Sequence, residues 1–246
     1  MPGIIEAPRS IVLAADMAPV AYEPIVRDLA GVEGLGGIKL GFKIGYSRIS
    51  LPGAVDIVRE VDPDLKVIFD HQKAGTDIID TGKDFAEAMT EAKVDAAILF
   101  PFTGPKVQHN WVRELQKKNI PAICGAEMTH EGQVAESDGT QGGYIHPRAF
   151  ERIFTLAVQL DVRDFVVPGN KAERVAHYRT FIGSLLGQEE FTLWAPGFVT
   201  QGGDVSETGA AAGPNFHAIV GRGIYGAEQP RVAAMALGQK LLGRNR

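Results

Sequence analysis

The sequence predicts an α/β fold, a (β/α)8 barrel formed by residues 1–246 as a single domain. Three observations support this prediction. Short apolar runs recur eight times along the chain. These runs are continuous rather than alternating, as in parallel strands that are buried on both faces. Segments with helical periodicity separate them, and such alternation over about 250 residues is typical of this barrel. The runs are IVLAA (11–15), GIKLGFKIG (37–45), KVIFD (66–70), VDAAILF (94–100), IPAICGA (120–126), DFVVP (164–168), FTLWAP (191–196) and HAIVG (217–221).

Five of the intervening segments predict amphipathic helices. In the third of them Val107, Trp111 and Leu115 stand four residues apart, which places them on one helix face. Pro230 opens the last segment, at a first helical position that suits proline. Because counting strands does not prove closure, an open doubly wound sheet is the alternative. The five segments are AVDIVREV (54–61), KDFAEAMTEA (83–92), VQHNWVRELQKK (107–118), RAFERIFTLAVQL (148–160) and PRVAAMALGQKLLG (230–243).

Composition excludes several classes of protein. The formal net charge is −5 and no basic cluster stands out, which argues against a nucleic-acid partner. No apolar run reaches the roughly 18 residues that a membrane span needs, and MPGIIEAPRS at the start lacks the pattern of a signal peptide. The only cysteine, Cys124, lies in an apolar run and predicts a buried core residue in a protein of the cytoplasm.

Charged residues follow the second and third runs. Lys43 is expected at the end of strand two, while Asp70 ends strand three and is followed by Lys73 and Asp77. The carboxyl ends of barrel strands carry the active site, so these four residues are candidates. They would form either a weakly stabilising ion-pair cluster at the rim or a preorganised charge array. The position favours the array, in which a lysine held between carboxylates stays protonated and donates a proton.

Glycine-rich segments follow the seventh and eighth runs. TQGGD (200–204) and GRG (221–223) supply backbone N–H groups and the guanidinium of Arg222, and both types of group bind phosphate. Each segment alone also fits a flexible loop or an exposed arginine. Together, at the two strand ends where barrels commonly bind phosphate, they predict a phosphate site. In EMTHEG (127–132), Thr129 would either contact a polar heterocycle or cap its own loop.

Motifs for metals and common cofactors are missing from the sequence. The six histidines show no metal-binding spacing, and neither HExxH nor CxxC occurs. The chain also lacks a Walker loop, a GxGxxG after strand one and a GxSxG nucleophile elbow. These observations predict a site without a metal ion.

Six motifs in the same order resemble the orotidine 5′-phosphate decarboxylase family, over nearly the whole chain. That resemblance implies a (β/α)8 homodimer that uses neither cofactor nor metal and converts orotidine 5′-monophosphate to UMP and CO2 in pyrimidine biosynthesis. Each active site would be completed by the partner subunit, and no nucleic acid or membrane would be involved. The motifs are AADM at strand one, FKIGY at strand two, the Asp–Lys–Asp-Ile element at strand three, EMTHEG at strand five, PGFVTQGGD at strand seven and VGRGIYGAEQP at strand eight.

The resemblance also implies roles for individual residues. Lys73 would protonate C6 of the pyrimidine, and Asp70 would lie beside the departing carboxylate. Asp77 would reach in from the partner subunit. The implied catalytic residues are Lys43, Asp70, Lys73 and Asp77. The implied substrate-binding residues are Asp16 at a ribose hydroxyl, Ile78 and Thr81 beside Asp77, Thr129 and Pro196 at the base, and Gln201, Gly221 and Arg222 at the phosphate.

One departure concerns the spacing of the catalytic element. The family pattern is D-x-K-x-x-D, whereas Lys73 here stands three residues after Asp70 and four before Asp77. Because side chains alternate along a strand, an offset of three turns Lys73 away from the side of Asp70. We therefore predict that the chain bulges or leaves the strand at His71–Gln72, which returns Lys73 to the pocket.

Two alternatives have different chemistry. A metal-dependent sugar-phosphate decarboxylase or aldolase of the same superfamily, such as 3-keto-gulonate 6-phosphate decarboxylase, resembles this pattern but carries a glutamate metal ligand at the end of strand two. Lys43 at that place would repel a cation. The second alternative is a catalytically inactive barrel that only binds nucleotides, which the altered spacing of Lys73 leaves open.

Overall fold

The barrel is formed by eight parallel strands that pair in chain order. A computed structural model describes residues 3–41, 50–70, 77–136, 141–187 and 189–243. Apolar β-branched and aliphatic residues dominate the strands and are buried on both faces, which favours a parallel sheet covered by helices. The strands are β1 (Arg9–Ala14), β2 (Leu35–Leu40), β3 (Lys66–Asp70), β4 (Ala96–Leu99), β5 (Ala122–Gly125), β6 (Asp164–Val166), β7 (Thr192–Pro196) and β8 (Phe216–Val220).

Pairing between the first and last strands closes the sheet. β1 pairs with β8 in parallel, from Arg9 opposite Phe216 to Leu13 opposite Val220. The predicted (β/α)8 barrel is therefore confirmed, and the open doubly wound sheet is wrong.

Helices surround the barrel and begin at residues that suit helix starts. Ser50 accepts a hydrogen bond from the backbone N–H of Gly53 at 3.2 Å, and Asp204 accepts from the N–H groups of Ser206 and Glu207. Pro230 occupies the first turn of the last helix, as predicted. The helices are α1 (Pro19–Asp28), α2 (Leu51–Val61), α3 (Thr81–Glu91), α4 (Pro105–Lys117), α5 (Arg148–Gln159), α6 (Ala172–Leu186), α7 (Val205–Ala212), α8 (Arg222–Tyr225) and α9 (Pro230–Leu241).

The sequence predicts the strands better than the helices. No helix is predicted after β1, β6 or β7, where α1, α6 and α7 lie. The predicted second strand is also too long, because β2 ends at Leu40 and Gly41 follows without regular structure. The expectation that strand two ends at Lys43 is therefore wrong.

Two apolar clusters hold the fold together. The larger one lies between the strands and the helices and includes Tyr22, Phe150, Phe154 and Tyr178. The smaller one is built from alternate strand residues and fills the barrel interior around Phe100 and Trp194. No helix in the described residues is both long and apolar enough to cross a membrane.

The interior also contains polar groups near the amino-terminal ends of the strands. Trp194 donates a hydrogen bond from Nε1 to Oδ1 of Asp164 at 2.9 Å, and its ring lies 4.4 Å from that of His217. Ser10 and His217 Nδ1 are 2.9 Å apart. Burial raises the pKa of Asp164 to about 6 and lowers that of His217 to about 3. These groups occupy the end of the barrel opposite the strand carboxyl ends.

Candidate active site

A buried lysine joins two aspartates at the carboxyl ends of the first three strands. Lys39, the penultimate residue of β2, places its Nζ 2.5 Å from Oδ2 of Asp70 and 3.2 Å from Oδ2 of Asp16. The side chains of Lys39 and Asp70 are 3% and 1% exposed, whereas that of Asp16 is 25% exposed. The cluster is therefore anchored in the barrel and opens toward solvent on the side of Asp16.

The two carboxylates keep Lys39 charged. Burial alone would lower the pKa of its ammonium group, but the charges of Asp70 and Asp16, together with hydrogen bonds to both, outweigh burial. The pKa of Lys39 therefore lies above its ordinary value. This arrangement presents a fixed positive charge between two carboxylates at neutral pH.

Lys39 is absent from the residues predicted from the sequence. The second run contains Lys-x-Gly-aromatic twice, as KLGF (39–42) and as KIGY (43–46), and the prediction of Lys43 uses the second copy. In β2, Lys39 stands opposite Ala14 of β1 and Ile68 of β3, so its side chain lies beside the ends of both strands. Lys43 and Lys73, like the bulge expected at His71–Gln72, lie outside the described residues.

Gly41 lets the backbone that leaves β2 pass close to Asp16, which follows β1 by two residues. A Cβ atom on this residue would lie 2.4 Å from Oδ1 of Asp16 and 3.6 Å from Nζ of Lys39. The absence of a side chain at position 41 therefore makes room for the carboxylate of Asp16.

Asp77, Ile78 and Thr81 lie at the surface where α3 begins. The backbone of this segment is fixed, because the carbonyl of Ile78 accepts hydrogen bonds from Trp111 Nε1 at 3.0 Å and from Thr81 Oγ1 at 2.9 Å. Thr103 donates to the carbonyl of Asp77 at 3.3 Å. Ile78 is nevertheless 63% exposed. Within the described part of the chain, no hydrogen bond joins Asp77 to Asp16, Lys39 or Asp70.

Thr129, Pro196 and Gln201 come together on the other side of the barrel mouth. Pro196 ends β7, and Gly197 follows with a φ of +114°. A Cβ atom on Gly197 would lie 3.0 Å from Cγ2 of Thr129 and 3.3 Å from Oε1 of Gln201. The loops after β5 and β7 therefore meet at Gly197, where the glycine permits both the turn and the close approach.

The turn that carries Thr129 is bound by a buried ionic cluster. Glu127, 4% exposed, accepts hydrogen bonds from Lys171 Nζ at 3.1 Å, Arg174 Nε at 2.7 Å and the Tyr178 hydroxyl at 2.6 Å. Burial would raise the pKa of Glu127, but these hydrogen bonds outweigh burial and hold its pKa below the ordinary value. Burial and donation to Glu127 raise the pKa of the Tyr178 phenol, so it remains a donor.

The predicted phosphate-binding residues lie after β7 and β8. Gly221 precedes α8, and the exposed Arg222 is the first residue of that helix. Tyr225 donates to the backbone carbonyl of Asp16 at 3.4 Å, which connects α8 to the mouth of β1. Val199, in the loop after β7, has a φ of +63°. A Cβ atom on Gly223 of α8 would lie 2.8 Å from Cγ2 of Val199, so this loop packs against α8.

Solved structures with the same chain fold include orotidine 5′-monophosphate decarboxylases. The enzyme of Methanocaldococcus jannaschii, complexed with inhibitor BMP, has a TM-score of 0.77 and 22% identity, covering 95% of this chain and 98% of that one. The enzyme of Pyrococcus horikoshii OT3 has a TM-score of 0.74 and 22% identity, with coverage of 95% and 99%. At this identity the likeness shows the fold. Fold and site together define a (β/α)8-barrel enzyme whose charged groups gather at the strand carboxyl ends.

Sequence similarity identifies the family within this class. Orotidine 5′-phosphate decarboxylase of Methanosarcina mazei is 32% identical over 199 residues, 81% of this chain and 82% of the relative. The corresponding protein of Pyrococcus abyssi is 31% identical over 203 residues, 82% of this chain and 86% of the relative. The sequence profile of the Orotidine 5′-phosphate decarboxylase / HUMPS family matches residues 24–237. The chain belongs to this family, as its motifs predicted.

Proposed function

We propose that this enzyme converts orotidine 5′-monophosphate to UMP and CO2 in pyrimidine biosynthesis, as one domain and without a metal or cofactor. The observation that carries the proposal is the buried Asp16–Lys39–Asp70 cluster at the barrel mouth. The relatives named as orotidine 5′-phosphate decarboxylases, at about 30% identity over most of the chain, support the same reaction.

The proposed reaction breaks the bond between C6 of the pyrimidine and its carboxylate. CO2 departs, the electron pair stays on C6, and a proton from the ammonium group of Lys73 then forms the C6–H bond of UMP. Asp70 lies beside the departing carboxylate and raises the free energy of the bound substrate relative to the transition state. Two unit charges about 4 Å apart interact by roughly 4 kcal/mol at an effective dielectric constant of 20, so the placement of each charge matters.

We infer that Lys39 has the role at the end of strand two that is predicted for Lys43. Its ammonium group holds Asp70 and Asp16 in fixed positions, which supports a preorganised charge array. A buried cation here is also a poor neighbour for a divalent metal ion, which is the reason to favour this reaction over that of the metal-dependent sugar-phosphate enzymes.

The remaining residues would bind the rest of the nucleotide. Asp16, the exposed end of the charged cluster, would hold a ribose hydroxyl. Thr129 and Pro196 would contact the pyrimidine, and Gln201, Gly221 and Arg222 would bind the phosphate. The approach of Thr129 and Gln201 to Gly197 supports this arrangement, because it puts a proposed base contact next to a proposed phosphate contact.

We also propose a homodimer in which Asp77, Ile78 and Thr81 complete the site of the partner subunit. Exposed apolar side chains at Ile78 (63%) and Ile79 (39%) support an interface at this segment. Mixing inactive Asp70→Asn and Asp77→Asn proteins tests it. Shared sites predict recovery of about a quarter of wild-type activity, because half of the dimers are mixed and each of these has one intact site. Without any recovery, Asp77 does not act across subunits.

The reaction itself is tested by measuring turnover of orotidine 5′-monophosphate in excess EDTA. Turnover is measured as the loss of substrate ultraviolet absorbance. Rapid decay supports a decarboxylase that needs no metal. Decay that appears only after Mg²⁺ is added contradicts the proposed metal-free mechanism. UMP binding with no decay under either condition indicates the inactive nucleotide-binding barrel.

A further inference from the structure

We propose that Glu127 is a positioning residue that sets the affinity for the pyrimidine base by fixing the turn that carries Thr129. This inference rests on the proposed function, since it needs Thr129 at the base. Glu127 stands two residues after the end of β5 at Gly125 and two residues before Thr129, so a shift of its carboxylate would move that turn.

The first step of the reasoning is that Glu127 cannot move independently of its donors. Its carboxylate is buried and accepts from two cations and a phenol that all come from the end of the β6–α6 loop and from α6. Arg174 also donates from Nη2 to the hydroxyl of Tyr178 at 2.6 Å, which closes the cluster on itself. A buried carboxylate with these three donors has one preferred geometry, because losing any donor leaves a buried charge less compensated.

The second step is that the same loop holds the backbone next to Glu127. Lys171 Nζ donates to the carbonyl of Met128 at 3.2 Å as well as to Glu127. Asn170 donates from Nδ2 to the carbonyl of Thr129 at 3.1 Å. The turn is therefore bound to the β6–α6 loop through two successive carbonyls, and Glu127 anchors the lysine that makes one of these contacts.

The third step is that the position of this turn determines where Thr129 meets the rest of the site. Cγ2 of Thr129 lies beside Gly197, at the junction with the loop of Gln201. Gly197 and Gly203 both pack against the backbone of Asn170, so the three loops share one contact region. Loosening the Glu127 cluster would displace Thr129 relative to Pro196, the other proposed base contact, while leaving Arg222 at the start of α8 in place.

The test compares a ligand that has the base with one that lacks it. UMP and ribose 5-phosphate share the sugar and phosphate, so only UMP depends on Thr129. For Glu127→Gln we expect about tenfold weaker UMP binding, as follows from small displacements of binding groups. Ribose 5-phosphate binding should stay within about twofold of wild type. Tyr178→Phe, which removes one donor and keeps both cations, should weaken UMP binding less but in the same selective way.

Glu151→Gln is the matched control. Glu151 lies on α5, is partly exposed and pairs with His177 of α6 at 3.1 Å, so the substitution makes the same chemical change in an ion pair that does not include Glu127. The Glu151→Gln variant should bind UMP and ribose 5-phosphate as tightly as wild type. If Glu127→Gln fails to fold, the affinities of Tyr178→Phe for UMP and for ribose 5-phosphate decide instead. Equal losses for the two ligands, or no loss for either, in a folded variant would overturn the inference.

A double-mutant cycle separates action through Thr129 from a general weakening. Glu127→Gln should have little further effect on UMP binding when combined with Thr129→Ala, because the contact that it positions is already gone. Additive losses would overturn the inference and leave the proposed function intact. Wild-type protein that neither binds UMP nor consumes orotidine 5′-monophosphate would instead overturn the proposed function, and the positioning role with it.

Discussion

The ammonium group of Lys39 lies 2.5 Å from the carboxylate of Asp70, with both side chains almost fully buried. A buried ion pair is expensive to desolvate and adds little net stability by itself. Lys39 also bonds Asp16, whose carboxylate is partly exposed at the barrel mouth. The buried pair therefore fixes one end of an ionic cluster that reaches solvent at Asp16.

Replacing Lys39 should remove both activity and stability. Lys39→Met keeps the length of the side chain but removes the cation that pairs with the buried carboxylate of Asp70, and breaking a buried ion pair costs about 3–5 kcal/mol of unfolding free energy. We expect kcat/KM for orotidine 5′-monophosphate to fall at least about 100-fold, measured together with urea denaturation. Lys106→Met, at an exposed position of α4, is the control and should behave like wild type. A folded Lys39→Met enzyme with full activity would contradict the role given to Lys39.

Adding a methyl group at Gly41 should disturb Asp16 specifically. In Gly41→Ala the new Cβ would lie 2.4 Å from Oδ1 of Asp16, so the carboxylate must move. We expect UMP to bind about tenfold more weakly in a calorimetric titration, because Asp16 is the proposed ribose contact. The same substitution in an Asp16→Ala background should have little further effect. Equal losses in both backgrounds would show that Gly41 acts through the backbone rather than through Asp16.

The strands and their order could be predicted because each is a continuous apolar run, and β3 matches its prediction at both ends. Lys39 of β2 could not be predicted in this way. KLGF and KIGY are equivalent as patterns, and only the register of Lys39 against Ala14 and Ile68 distinguishes them. Register depends on pairing with strands far away in sequence, which the local pattern does not contain.

The Glu127 cluster was beyond prediction for a related reason. Its donors lie 44, 47 and 51 residues further along the chain and approach it only because β6 pairs beside β5. Thr129 could be predicted as a candidate because EMTHEG follows a strand. Nothing local marks Glu127 as buried, since an isolated glutamate in a loop is usually solvated.

Side chains at positions 199 and 223 should compete for the same space beside the proposed phosphate site. Gly223→Ala would bring a Cβ atom to 2.8 Å from Cγ2 of Val199, which pushes the β7 loop away from α8. We expect about tenfold weaker binding of ribose 5-phosphate. Val199→Gly should restore it in the double variant, because it removes the clashing side chain and suits the φ of +63° at that position. Failure of Val199→Gly to restore binding would show that Gly223→Ala acts in some other way.

Asp164 should make the stability of the barrel depend on pH. Its pKa in the folded protein is about 6, above the ordinary value of 3.8, because the carboxyl is buried. The folded state therefore holds this proton more tightly than the unfolded state. Its contribution is most favourable below pH 3.8 and is lost as the pH rises through 6, by roughly 3 kcal/mol in total.

The variant Asp164→Asn separates this effect from that of His217. The pKa of His217 is lowered to about 3, so its contribution to stability is lost as the pH falls rather than as it rises. The asparagine side-chain oxygen still accepts the hydrogen bond of Trp194 but carries no charge. We expect Asp164→Asn to gain unfolding free energy relative to wild type at pH 8, and to lose most of that advantage at pH 4.5. Urea denaturation of both proteins at the two pH values measures it. An advantage that is equal at both pH values would mean that Asp164 does not titrate in this range, since only a group whose proton affinity changes on folding makes the difference depend on pH.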